Sequence, residues 1–170
     1  MLAKKMSHIA MLAALCIVLR WGFAPFPNIK PITAFFLVSL SYMELGSALL
    51  VMLLTMLGSS LIFGFSLVVV WQIVSFTVLM CCWRFVILPI TRRLPQAIWW
   101  ESILAGLVAF SYGFIISIPI AIQFGTNNIL YWLNGLIFDG LHAVSTLLFY
   151  PVILQIIRRF YDEAKTNFRS

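Results

Sequence analysis

Between residues 8 and 157 the chain is a succession of long apolar runs, interrupted only by prolines, glycines and isolated charges. No other feature constrains the fold as strongly. A water-soluble domain carries about a quarter of its residues as charged side chains; here 9% are charged and 63% are hydrophobic. Soluble globular and disordered classes are excluded, and lipid is the solvent for most of the chain. A spanning helix takes about 20 residues, so about six spans account for roughly 120 of them. The remainder suffices for loops and tails, and none is left for a soluble ATPase domain.

The runs place helices at 8–23, 32–43, 47–63, 67–88, 98–122 and 129–157. The second is short for a complete span. Pro25 and Pro27 end the first helix and bias Ala24 and Phe26 toward extended backbone. Glu44 and Gly46 turn the second into the third, Gly64 breaks the third from the fourth, and Pro89 ends the fourth. Pro119 is expected to kink the fifth. Six spans put both termini on one side of the membrane. Lys4, Lys5, Arg92, Arg93, Arg158, Arg159, Lys165 and Arg169 fall on that side, with Arg20 and Lys30 opposite. The positive-inside rule makes the basic side cytoplasmic. The expected fold is therefore all-α: one domain over 1–170, an integral membrane bundle of six transmembrane helices with both termini cytoplasmic and a polar tail at 158–170. Lys4 and Lys5 before an apolar run resemble the start of a signal peptide. No small-residue cleavage site follows, so a retained first span is expected. The net charge of +6 sets topology; without basic residues interleaved with aromatics it does not indicate nucleic acid. Cys16, Cys81 and Cys82 read as packing residues.

Polar side chains inside such a bundle are expensive and mark candidate sites. Asp139 and His142 are three apart on the last helix and share a face, with Asn134 and Gly135 about a turn earlier. They suit ligand contact, structural pairing between helices, or a proton relay. One His and one Asp do not complete a metal site, and no nucleophile motif accompanies them. The connector 20–33 brings Arg20, Trp21, Phe23, Phe26, Asn28 and Lys30 together between prolines. It can cover a polar ligand or anchor headgroups. Trp71 and Gln72, with Gln123, Asn127, Asn128, Tyr131, Trp132 and Asn134, gather more amide and aromatic groups at the same end, which favours a pocket there. On helix 1, Ala10 and Ala14 form a small-residue strip for close helix approach, internal or external. Arg84 reads as snorkelling to headgroups, Glu44 as a cap, and Glu101 as an acid favoured by its helix dipole.

The short second helix, the alanine pair, the segment Phe26-Pro27-Asn28-Ile29-Lys30-Pro31, the Gly64 break followed by Trp71-Gln72, and Asp139-x-x-His142 together resemble the S components of energy-coupling factor (ECF) transporters. The likeness covers most of the chain and is greatest to cobalamin-type members. Where those members carry Gly-x-Gly-x-Trp, this chain reads Gly64-Phe65-Ser66-Leu67-Val68. The resemblance implies a non-enzymatic, substrate-binding membrane subunit without a cofactor, in a prokaryotic plasma membrane. It would take a vitamin from outside: cobalamin first, with pantothenate, a queuosine precursor, riboflavin and folate as alternatives. Its partners would be a transmembrane coupling subunit, met through Ala10 and Ala14, and two cytoplasmic ATPases. Arg20, Asn28 and Lys30 would guard the entrance, and Trp71, Gln72, Asn134, Asp139 and His142 would line the pocket. A small intramembrane enzyme and an assembly protein are the readings from other classes.

Overall fold

The computed structural model describes residues 2–167, with side chains over 3–159; Arg169 and the Lys165 side chain lie outside these. Six helices follow in order: α1 Leu2–Gly22, α2 Ile32–Tyr42, α3 Leu45–Phe63, α4 Leu67–Thr91, α5 Ala97–Phe124 and α6 Asn128–Asn167. Five of them are long and apolar enough to cross a membrane. The exception is α2, whose 11 residues extend about 16 Å.

This short helix is the centre of the bundle. Every residue from Ile32 to Leu40 is buried, and α2 touches each of the other five helices. A helix that is apolar all round belongs inside its neighbours. The outer helices present large side chains to lipid, among them Leu61, Ile122 and Ile137. Exposed Trp21, Phe63, Phe65 and Phe124 ring one end, and Trp99 and Trp100 the other, as aromatic belts do at interfaces.

Lipid tails are as apolar as leucine, so close association comes from van der Waals packing and hydrogen bonds. The closest pairing is between α5 and α6. Buried Ala105, Gly106, Ala109 and Gly113 face α6 along one stripe of α5, and a Cβ on Gly106 would lie 3.1 Å from the Ala143 carbonyl oxygen. Small residues here let the two backbones approach. Elsewhere α1 packs on α3, and α4 on α3 and α5.

Three local expectations are corrected. Pro89 does not end α4: the helix widens by a π-type turn at Trp83–Ile87, where the Leu88 N–H reaches the Trp83 carbonyl, and continues to Thr91. The wider turn accommodates a proline ring that an α-helical turn would exclude. Arg84 does more than snorkel: its Nη1 donates to the Leu40 carbonyl at 3.0 Å, satisfying a carbonyl left unpaired at the end of α2. Glu101 is not a first-turn acid. It is buried, accepting from Thr91 Oγ1 at 3.1 Å and from Tyr150 OH at 2.9 Å, and so ties α4, α5 and α6 together. Glu44 occupies the cap position of α3 without a side-chain capping bond, and pairs across the surface with Lys5 at 2.6 Å.

The connector 23–31 does not stay at the surface. Asn28 Nδ2 donates to the Phe138 carbonyl at 3.1 Å, and Ser145 Oγ to the Lys30 carbonyl at 3.3 Å. Phe138 is ten residues into α6, about 15 Å from its start. The loop therefore descends into the bundle, which is why α2 needs only three turns to reach the far end. Backbone at that depth must find partners in protein, and α6 supplies them.

Candidate functional site

Where the descending loop meets α4, α5 and α6 the structure encloses a cavity of about 150 Å³. Arg20, Asn28, Lys30, Gln72, Asp139 and His142 line it, with Thr33, Met56, Phe76, Tyr112, Gly113 and Ile116. Six of the eight expected pocket residues, scattered over more than a hundred positions, thus come together.

Each polar group has a physical reason for its place. Arg20 sits in the last turn of α1, where a cation complements the helix dipole. Its guanidinium donates to Ser59 Oγ at 2.6 Å and Gln72 Oε1 at 3.1 Å, and lies 5.6 Å from the Phe63 ring centre. These contacts tie α1 to α3 and α4 and aim a fixed positive charge along the cavity. Asn28 has a left-handed backbone, φ 57°, a conformation asparagine tolerates better than most residues; this turn sends the chain inward toward Lys30. Lys30 enters the cavity wall from this turn, its carbonyl accepting from Ser145 Oγ at 3.3 Å.

On the opposite wall, His142 Nε2 and Thr33 Oγ1 are 2.8 Å apart, joining α6 to the start of α2. The Tyr112 ring meets His142 edge-on at 5.4 Å and packs on Phe76 at 4.6 Å. Asp139 is buried, and its Oδ2 has no hydrogen-bond partner. The indole of Trp132 lies near enough to act on this carboxylate, yet its Nε1 is also buried without a partner in hydrogen-bonding geometry. Gly113 faces the carboxylate closely enough that any Cβ there would overlap it.

The remaining two expected pocket residues are elsewhere. Asn134 is exposed and does not line the cavity. Trp71 points away to the surface, donating from Nε1 to Gln123 Oε1 at 2.9 Å. The second polar cluster resolves into separate structural duties. Asn127 Oδ1 caps α6 by accepting from the Ile129 and Leu130 N–H groups at 3.0 and 3.2 Å, and Asn128 Oδ1 accepts from Ser117 at 2.9 Å. Sequence reasoning missed Thr33, Tyr112 and Gly113 as site residues. The available signals were a threonine directly after Pro31-Ile32 and a Tyr-Gly pair midway along a largely apolar helix.

Ala10 and Ala14 are both exposed on α1, while Ile9, Ala13 and Cys16 form its buried face. The alanine strip is therefore turned outward and does not pack inside the bundle. Comparison of the chain with models of known families, with curated proteins and with solved structures finds no match.

Proposed function

We propose that this chain is the substrate-binding membrane subunit of an importer of the ECF type, which captures an organic micronutrient and has no catalysis of its own. One observation carries the reading. Polar residues from α1, the descending loop, α4 and α6 converge on one intramembrane cavity. Ionisable side chains inside a membrane bundle are expensive, and their gathering at one cavity supports a ligand site. The basic end, with Lys4, Lys5 and Arg92, faces the cytoplasm under the positive-inside rule, so the loop 23–31 faces outside. The outward alanine strip of α1 is the docking face for a membrane-embedded coupling subunit, which works with two ATPases.

Arg20 and Lys30 on one side and Asp139 and His142 on the other suit a ligand with an acidic group and a hydrogen-bond donor. The volume favours a compact ligand: about 150 Å³ is the share of about five water molecules. A corrinoid, the ligand of the most similar family type, requires the loop 23–31 to swing outward. Mass spectrometry of small molecules released from the purified protein tests the reading. The expected result is one dominant species in near-stoichiometric amount, depleted at least about tenfold by Asp139→Asn, a loss of about 1.4 kcal/mol. A red protein would identify a corrinoid. Absence of any bound species, or one held equally by the variant, overturns the proposal.

A further inference from the structure

The α1 and α6 helices stand apart with α2 beneath them, leaving a groove of about 780 Å³ along the membrane face. Met11, Leu15 and Leu19 form one wall, and Phe149, Val152 and Ile156 the other. At the end bearing the N-terminus, the groove runs into an open depression of about 890 Å³ that holds Lys4, Lys5, Arg84 and Arg92 against the single carboxylate of Glu44. The two adjoin, sharing His8, Tyr42 and Met43 in their walls. Lys5 is held by Glu44, and one Arg84 nitrogen by Leu40. Among the described residues, the side chains of Lys4 and Arg92 have no hydrogen bond or ion pair.

We propose that this composite surface binds an acidic glycerophospholipid, with its headgroup phosphate on Lys4 and Arg92 and an acyl chain along the groove. The charge and the apolar channel are arranged end to end, as in such a lipid. The stretch of α1 from His8 to Leu19, both on the groove wall, is about 16 Å long, matching the roughly 15 Å of one leaflet's hydrocarbon. A second transmembrane helix is a poorer occupant. Helix–helix seams need small residues for close approach, and the groove wall contains neither glycine nor alanine. Ala10 and Ala14 lie outside it, so lipid binding and docking use neighbouring strips of α1. This inference is independent of the importer reading.

The test is native mass spectrometry of the whole protein in detergent with dioleoyl phosphatidylglycerol or dioleoyl phosphatidylcholine added. Near a membrane surface, two basic residues together favour an anionic headgroup by about thirtyfold. Phosphatidylglycerol should therefore be retained about thirtyfold better than phosphatidylcholine, and Lys4→Gln with Arg92→Gln should remove the difference. Leu15→Trp, which fills the groove, should lower retention of both lipids. Glycerol phosphate without acyl chains should not displace phosphatidylglycerol. Equal retention of the two lipids, indifference to the double substitution, or displacement by glycerol phosphate overturns the proposal. Should Leu15→Trp fail to fold, the exposed Lys4 and Arg92 substitutions still decide it.

Discussion

The carboxylate of Asp139 occupies the space that a side chain at position 113 would fill; glycine on α5 is what admits an acid on α6 to the cavity. Gly113→Ala must therefore push Asp139 aside. Overpacking of this kind costs about 1–3 kcal/mol, and displacement of the carboxylate should reduce ligand retention at least about tenfold. Gly135 has open space beside it, so Gly135→Ala should leave retention unchanged. Thermal unfolding in detergent and ligand content measured side by side check both outcomes.

Asp139→Asn distinguishes binding from catalysis. It keeps the size of the side chain and removes its charge. A binding site loses ligand under this change; an intramembrane enzyme keeps its ligand and loses turnover. Weakened retention in an equilibrium binding measurement is the expected outcome.

Thr33→Val leaves His142 Nε2 without its partner at 2.8 Å. An unsatisfied buried polar group costs about 1–3 kcal/mol, so the variant should unfold at a lower temperature. Its ligand retention should also fall, because the bond fixes the imidazole that lines the cavity. A double substitution, Thr33→Val with His142→Leu, should recover part of the stability and none of the binding.

Ala10→Leu with Ala14→Leu adds bulk to an exposed strip, so stability should change by no more than about 0.5 kcal/mol. Ligand retention should be unchanged, while co-purification with a membrane coupling subunit should stop. Intact complex formation would remove the docking role from this face.

The residues that sequence reading found and those it missed differ in a physical way. Arg20, Asp139 and His142 were legible because a charge or imidazole in an apolar run has few cheap explanations. Asn127 and Asn134 belonged to one polar cluster in the sequence, yet one caps a helix and the other faces outward. An amide near a helix end is common on both counts, and composition at one depth does not reveal which way a side chain points. Thr33 and Gly113 carried only weak signals as site residues, because their role depends on the partner opposite: a histidine for the first, a carboxylate for the second.

Helix number and order followed from the amino-acid sequence alone, since lipid excludes unpaired backbone and ordinary charge over any 20-residue stretch. Tertiary structure alone decided that the shortest helix is the core, that the proline-rich connector descends to α6, and that Asp139 retains an unpartnered oxygen. These outcomes arise from contacts between residues about 40 to 110 positions apart, such as Arg20 with Ser59 and Thr33 with His142. Hydropathy reports what each segment tolerates as solvent, and it carries no information about which neighbour completes a polar group.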